Sequence, residues 1–229
     1  GTAQDYDTGT ASLQGVYRVC YCPAYDNGGG TACDVDAEYT HQAGVLDIRG
    51  PVGGEDKACT AGVQCTVGPF TGQTLTSNDK VGFMPGGGAC ITSDRDASTE
   101  IAQYQFRAMS MTAIVKTEMV LNAVDLPKGG LWLICYCTNF QSCDAYAEYT
   151  VEAGELTVQG ADGIGTYDCV RYAPYCTFQV DGTVLTSGDH VQVIENGDTC
   201  ATGSQSVNFV SPRKQADAGG TGVAQTFEP

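Results

Sequence analysis

Hydrophobic positions in this 229-residue chain alternate with polar ones over short runs. The run VYRVCYC at 16–22 places Tyr17, Val19 and Tyr21 on one face of a strand, because side chains alternate between faces with a period of two. The run LWLICYC at 131–137 repeats this pattern. Glycine, proline, asparagine or aspartate separates such runs from one another. The pattern predicts short β-strands joined by tight turns and favours strands over helices.

The same sequence blocks occur twice, in the same order. AEYTHQAGVLDIRG at 37–50 returns as AEYTVEAGELTVQG at 147–160, and CTVGPFTGQTLTSNDKV at 65–81 returns as CTFQVDGTVLTSGDHV at 176–191. The twelve cysteines follow the same register: Cys20, Cys22, Cys33, Cys59, Cys65 and Cys90 match Cys135, Cys137, Cys143, Cys169, Cys176 and Cys200. A repeat of this kind predicts two structurally equivalent modules.

We therefore predict an all-β protein with two tandem, disulfide-stapled, Ig-like β-sandwich modules, since about seven short strands in roughly 100 residues are typical of a sandwich. Module one is assigned to residues 1–110, module two to residues 111–212, and a C-terminal tail to residues 213–229. The segment IVKTEMVLNAVDLP at 114–127 favours a strand that opens module two, with a short helix as the alternative. Residues 1–11 lack such alternation, so module one is expected to lack its opening strand.

Twelve cysteines in a chain of this length indicate disulfides and an oxidising, extracellular setting, either secreted or at a cell surface. Zinc is the alternative, but zinc sites usually contain C-x2-C pairs, and the sequence has none. Six bridges are expected, all within modules. Differences in spacing between the copies favour local staples, because insertions are tolerated in loops that bridges close: Cys22–Cys33, Cys59–Cys65, Cys137–Cys143 and Cys169–Cys176. Cys20–Cys90 and Cys135–Cys200 then remain, although six cysteines allow fifteen pairings.

The charge of the chain is strongly acidic, with 27 acidic against 11 basic residues and a formal net charge of -16. Nucleic-acid binding needs clustered Lys and Arg, so it is excluded. One specific explanation of this acidity is calcium binding, with Asp34 and Asp36, or Asp94 and Asp96, as candidate oxygen ligands. The second copy does not repeat the full acidic pattern, because position 146 is Tyr146. Solvated turns are therefore favoured, and neither a metal site nor a cofactor is predicted.

Catalytic signatures are weak in this sequence. His41 has Val151 at its repeat position, and His190 follows Asp189 where the first copy has Lys80. Adjacent residues on a strand point to opposite faces, and no G-x-S-x-G elbow accompanies the Asp-His pair. We predict no catalytic residue and no enzyme. No run of about 18 apolar residues occurs, so no transmembrane segment is predicted either.

The quoted motifs resemble a known class of repeats. A Tyr-x-Val-Cys-Tyr-Cys block is followed by a Gly-x-Leu-x-x-x-Gly strand and then by a stretch ending in Leu-Thr-Ser-x-Asp. This order is similar to cysteine-rich repeats in very large surface proteins of alveolate protists, and the resemblance covers both modules. It implies an extracellular, repetitive, Ig-like architecture and assigns no catalytic residue.

These observations favour an extracellular structural subunit that assembles head to tail, with copies of itself, into a filament or surface coat. The tail is expected to donate a strand to module one of the next subunit and to bury Val223 and Phe227 there. A heterologous contact that does not close on itself gives an open fibre. The alternative is a monomeric adhesin or a pair of carbohydrate-binding modules, with surface glycans as ligands.

Overall fold

The structure, a computed structural model, describes residues 5–23, 33–90, 107–108, 110–113, 116–123, 126, 128–144, 146–163, 165–171, 176–200, 203, 213–215 and 224–227. Its strands are β1 Gly15–Tyr21, β2 His41–Ile48, β3 Gly50–Pro51, β4 Lys57–Thr60, β5 Cys65–Phe70, β6 Gly72–Gln73, β7 Lys80–Pro85, β8 Arg107–Ala108, β9 Ser110–Ala113, β10 Lys116–Leu121, β11 Gly130–Cys137, β12 Val151–Ala161, β13 Phe178–Thr183, β14 His190–Gln192, β15 Arg213–Gln215 and β16 Ala224–Phe227. Two 3-10 helices lie at Asp36–Glu38 and Tyr146–Glu148.

The predicted all-β class is confirmed, because the described part of the chain contains strands and short 3-10 turns but no α-helix. None of its helices is long and apolar enough to cross a membrane. The segment predicted as an opening strand forms β10, which confirms the strand over the helix alternative.

Two larger sheets and three two-stranded ribbons make up the fold. The seven-stranded sheet has the order β16-β13-β12-β11-β7-β8, with β4 pairing in parallel with β12, and the three-stranded sheet has the order β5-β10-β9. The ribbons are β1-β2, β3-β6 and β14-β15. Both larger sheets combine strands from the two sequence copies, so strands on either side of the predicted boundary at residue 110 pair with each other.

The main hydrophobic core receives side chains from both larger sheets. It contains Cys59, Val67, Phe70, Val81, Phe83, Met119, Leu121, Leu126, Ile134, Tyr136, Ala153, Leu156 and Val158. A second cluster contains Cys90, Leu133, Cys135, Cys137, Cys143 and Tyr149. Because Leu133 and Ile134 are neighbours on β11, the two clusters lie on opposite faces of that strand. Both faces of β11 are therefore covered.

The structure contains five disulfides, and the four predicted local staples are among them. The two predicted long-range bridges, Cys20–Cys90 and Cys135–Cys200, are wrong. Cys90 bonds Cys135 instead, with a Cα–Cα distance of 5.4 Å, while Cys20 and Cys200 are exposed free thiols. The reason is strand pairing: β7, which leads to Cys90, pairs with β11 of the second copy. The expectation that every bridge closes within one copy is therefore also wrong.

Candidate assembly interface

Three parts of the molecule are related by the sequence repeat. The central unit consists of β4, β5 and β7 from the first copy with β10, β11 and β12 from the second. The N-terminal hairpin consists of β1 and β2, whose counterparts in the second copy are β11 and β12. The C-terminal half-unit consists of β13, β14, β15 and β16, and β13 and β14 are the counterparts of β5 and β7.

Three strand pairs of the central unit join one copy to the other, beside the β11–β12 pair within the second copy. Strand β7 pairs antiparallel with β11, from Lys80 opposite Cys137 to Pro85 opposite Trp132. Strand β4 pairs in parallel with β12, and β5 pairs antiparallel with β10. Further backbone bonds cross the same joint, among them Glu55 N–H to the Ala153 carbonyl at 2.9 Å. The second half of one copy thus folds against the first half of the next.

A buried carboxylate accepts hydrogen bonds from both copies at this joint. Asp79 is 2% exposed and accepts hydrogen bonds from the Thr76 N–H at 2.7 Å, the Thr76 hydroxyl at 3.1 Å and the Asn139 N–H at 2.8 Å. The hydroxyl of Tyr136 also donates to it. Buried polar groups need such partners, and here two of the donors belong to the second copy. Burial, together with the bond to Asp79, raises the pKa of Tyr136 above its usual value.

Sequence reasoning quoted the Leu-Thr-Ser-x-Asp motif but assigned no role to its aspartate. The motif builds a turn in both copies, in which the aspartate caps the threonine N–H three residues before it. The signal in the sequence was that this aspartate and the tyrosine of the Cys-Tyr-Cys block occur in both copies. The structure brings the two together in the central unit as Asp79 and Tyr136.

The N-terminal hairpin has the same internal structure as its counterpart. Gly15 lies opposite Ile48 and Tyr21 opposite His41, while β11 and β12 pair in the equivalent register, with a bulge at the same position. The Cys22–Cys33 staple matches Cys137–Cys143. The Tyr39 hydroxyl donates to the Cys33 carbonyl at 3.1 Å, and Tyr149 makes the matching bond. Strands β1 and β2 thus pair along their whole length without a partner strand on either side among the described residues.

The packing of the two hairpins differs completely. Val19 is 41% exposed, whereas its counterpart Ile134 is 0% exposed. Tyr21 is 44% exposed, whereas Tyr136 is 0% exposed. Leu46 on β2 is exposed in the same way. The N-terminal hairpin therefore presents an apolar face that its counterpart buries, and contiguous exposed apolar faces mark interaction sites.

Two matched glycines show the same difference in backbone contacts. A Cβ atom added to Gly154 on β12 would lie 2.6 Å from the carbonyl carbon of Glu55, and Gly154 has a φ of +147°. A Cβ atom added to Gly44, its counterpart on β2, would meet nothing within 4 Å. The glycine that permits a close approach of backbone in the central unit is thus also present in the N-terminal hairpin, where no described backbone approaches it.

The tail forms part of the C-terminal half-unit. Strand β16 pairs antiparallel with β13 of the same chain, with Phe227 opposite Phe178, in the way that β10 pairs with β5. The expectation that this tail pairs with the next subunit is therefore wrong. Strand β16 is the counterpart of β10. Strand β10 pairs with β5, which precedes it in the chain, and β16 likewise pairs with β13, which precedes it in the same chain. Val223 lies outside the described residues.

An open cavity of about 370 Å³ lies between the C-terminal half-unit and the ends of β4 and β12, where Thr60 and residues 159–161 also line it. Its lining includes Val180, Leu185, Asp189 and Val191. The counterparts of Val180 and Val191 in the central unit are Phe70 and Val81, which are fully buried in the main core. Among the described residues, this half-unit therefore lacks the layer that β11 and β12 provide in the central unit.

The turn beside this cavity has the same internal hydrogen bonds as its counterpart in the central unit. Asp189, the counterpart of Asp79, accepts the Thr186 N–H at 2.8 Å and the Thr186 hydroxyl at 3.3 Å. Within the described ranges no tyrosine hydroxyl bonds to it, in contrast with Asp79. Strand β14 pairs on one side with β15, as β7 pairs with β8, while its other side has no β11-like strand among the described residues.

The remaining predicted candidates do not come together as sites. Asp34 and Asp36 are exposed, and the Glu38 carboxylate is occupied by the N–H groups of Asp34 at 3.0 Å and Val35 at 3.4 Å. Where the chain is described, no group of three or more His, Cys, Asp or Glu residues could hold a metal ion. Asp94 and Asp96 lie outside the described residues.

The two histidines lie on the surface and make local bonds. His41 Nδ1 and the Thr40 hydroxyl are 3.0 Å apart, and His190 Nδ1 donates to the Gly188 carbonyl at 2.9 Å. The Asp189 carboxylate bonds Thr186, and the hydrogen bonds found among the described residues include none between Asp189 and His190.

No protein-family model, curated protein or solved structure matches this chain. The candidate site is therefore defined by the internal repeat alone: an apolar hairpin at one end and an open half-unit at the other.

Proposed function

We propose that the protein is an extracellular structural subunit that assembles head to tail into a filament or surface coat. In this proposal the N-terminal hairpin of one copy docks on the C-terminal half-unit of another and rebuilds the arrangement of the central unit, as an Ig-like sandwich. Five disulfides support an oxidising extracellular location. The resemblance to surface repeats of alveolate protists supports the same location.

The observation that carries the proposal is the exposed face of a hairpin whose counterpart is buried. Val19 is 41% and Leu46 40% exposed, so burying what remains would contribute about 0.6–1.2 kcal/mol each, against the loss of translational and rotational freedom on association. The bulge, the staple and the strand register are formed before contact, so the hairpin loses little conformational entropy when it docks.

The proposed contact is heterologous, since the hairpin and the half-unit are different surfaces of one subunit. Each added copy presents a new open half-unit, so the contact repeats without closing, and such contacts generate fibres. By the register of the central unit, where Tyr136 lies opposite Val81, Tyr21 would lie opposite Val191 of the neighbour. The donated element is thus the hairpin, not the tail.

The test is self-association of the purified, oxidised chain, followed by light scattering and negative-stain electron microscopy over a range of concentrations. Val19→Glu places a charge on the docking face and should abolish assembly. Val16→Glu is the matched control, because Val16 is on the other face of β1 and its counterpart Leu131 stays 52% exposed in the central unit. Both variants should remain folded and monomeric at low concentration.

A wild-type chain that stays monomeric at every concentration would contradict the proposal. Equal loss of assembly in Val16→Glu and Val19→Glu would contradict it as well. A stable monomer that binds glycans would support the alternative of an adhesin or carbohydrate-binding module pair.

A further inference from the structure

We infer that Cys200 of one copy and Cys20 of the next copy form an interchain disulfide that closes each joint covalently. The inference rests on the proposed function, because it requires the N-terminal hairpin to dock on the C-terminal half-unit. Its partner is a second copy of this chain.

The template for this bond is inside the molecule. Cys90 and Cys135 are the repeat counterparts of Cys200 and Cys20, and they form the disulfide that joins the two copies across the central unit. The other eight bonded cysteines form staples within one copy. The two exposed thiols, Cys20 and Cys200, are therefore the equivalents of Cys135 and Cys90, the two cysteines that form the bond between copies.

Strand register would bring these two sulfur atoms together. In the central unit Cys135 lies opposite Gly82, and Cys90 follows Gly82 by eight residues (90 minus 82). The corresponding partner of Cys20 is Gln192, and Cys200 follows Gln192 by the same eight residues (200 minus 192). The spacing from the paired strand residue to the cysteine is therefore the same in the central unit and at the proposed joint.

A hydrogen bond would hold that register. Tyr136 bonds Asp79 in the central unit, and their counterparts are Tyr21, which is half-exposed, and Asp189, which lines the open cavity. Forming the Tyr21–Asp189 bond would exclude a one-residue slip, since such a slip turns every side chain of β1 to the other face. Cys20 would then point to the side of the sheet on which Cys135 meets Cys90.

The bond forms by thiol–disulfide exchange with a small-molecule disulfide, such as oxidised glutathione, as the oxidant. The Cys200 thiolate attacks one sulfur of the small disulfide, which releases one small thiol and leaves a mixed disulfide. The Cys20 thiolate of the docked copy then attacks the Cys200 sulfur and releases the second small thiol. The two protein sulfurs lose two electrons in total, and the small disulfide gains them.

The first experiment uses two single variants of the full chain, Cys20→Ser and Cys200→Ser, oxidised with glutathione and run on a non-reducing gel. Wild-type chains should give a ladder of covalent oligomers. Each variant alone should stay at the position of a single chain. An equimolar mixture should give a covalent dimer and nothing larger, because only one Cys200 and one Cys20 remain per pair.

The second experiment identifies the bond and its direction. Equal amounts of ¹⁴N- and ¹⁵N-labelled wild-type chains are assembled, digested without reduction and analysed by mass spectrometry. Peptides carrying Cys20 should be linked to peptides carrying Cys200, with mixed-label pairs close to half of the total. Only same-label pairs, or covalent dimers formed by either single variant alone, would overturn the inference.

A third variant separates this inference from the proposed function. The double variant Cys20→Ser/Cys200→Ser has no free thiol, and it should still associate in light scattering, with assemblies that dissociate on dilution. Assembly of this variant together with no Cys20–Cys200 bond in wild type would overturn the disulfide alone. Absence of association in this variant and in wild type would overturn both.

Discussion

The hydroxyl of Tyr136 donates a hydrogen bond to the carboxylate of Asp79, so a strand of the second copy is bonded to a turn of the first. Both groups are buried, and the same carboxylate caps the turn that precedes β7. One bond therefore couples the local shape of a loop to the contact between copies. This coupling makes the pair the most informative place to perturb the central unit.

Tyr136→Phe should lower the free energy of unfolding by about 1–3 kcal/mol, because it removes a hydrogen bond to a buried charged acceptor. Urea unfolding, followed by circular dichroism at low protein concentration, measures the loss. The matched control is Tyr21→Phe, since the Tyr21 side chain is exposed and should contribute little to the isolated chain. Equal losses in the two variants would contradict the role given to the buried bond.

Stability should fall at alkaline pH because of the same tyrosine. The pKa of Tyr136 is raised in the folded protein, whereas an unfolded tyrosine has a pKa of about 10. The stabilisation is complete below pH 10 and is lost as pH rises above it, because the unfolded chain then releases a proton that the folded chain retains. The free energy of unfolding should fall more steeply in the parent than in Tyr136→Phe, by up to about 1.4 kcal/mol per pH unit.

Unfolding curves between pH 8 and pH 11 measure this difference. The parent should be the Cys20→Ser/Cys200→Ser variant, so that free thiols do not exchange with the disulfides at high pH. Parallel curves for the two proteins would show that Tyr136 does not retain its proton.

The bridge between copies should stabilise the fold more than a local staple does. Cys90 and Cys135 are separated by 45 positions and Cys59 and Cys65 by 6. Loop-closure entropy then predicts losses of about 4 kcal/mol for Cys90→Ala/Cys135→Ala and about 2 kcal/mol for Cys59→Ala/Cys65→Ala. Chemical denaturation of both double variants tests the order, and a larger loss from the local staple would contradict it.

The matched glycines give a fourth test. Gly154→Ala should destabilise the chain by about 2 kcal/mol or more, because the added Cβ meets the Glu55 backbone and the residue has a positive φ. Gly44→Ala should leave the stability of the isolated chain nearly unchanged, since nothing lies within 4 Å of the added Cβ. It should nevertheless weaken assembly, measured by light scattering. Normal assembly of Gly44→Ala would mean that no backbone approaches β2 in the joint.

The sequence was sufficient for the strands, the repeat and the four local staples, because these depend on alternation and on short spacings. It was not sufficient to decide whether Cys90 bonds Cys20 or Cys135. Both cysteines occupy the same position of the repeat, so spacing cannot distinguish a copy that closes on itself from one that closes on its neighbour. The physical reason why Cys90 bonds Cys135 is burial. Strand β11 carries apolar side chains on both faces, and the strands of its own copy cover only part of them.

The tail shows the same ambiguity. The sequence indicated a strand in the tail, but the partner of such a strand is determined by the topology of the sheet. Asp79 and Asp189 were visible as one motif, yet only the fold shows that Tyr136 reaches the first of them.

The Cys90–Cys135 bond also determines how the molecule responds to tension. When the chain is pulled from its two ends, the covalent path crosses from β7 to β11 through the sulfur atoms and omits residues 91–134. That segment cannot be extended while the disulfide is intact. The stretched chain is therefore shorter by roughly 150 Å than it would be without the disulfide, at about 3.4 Å per residue. Extension must therefore come from strand pairs outside that segment, such as β13 with β16 or β1 with β2. The middle of the molecule is thus its least extensible part.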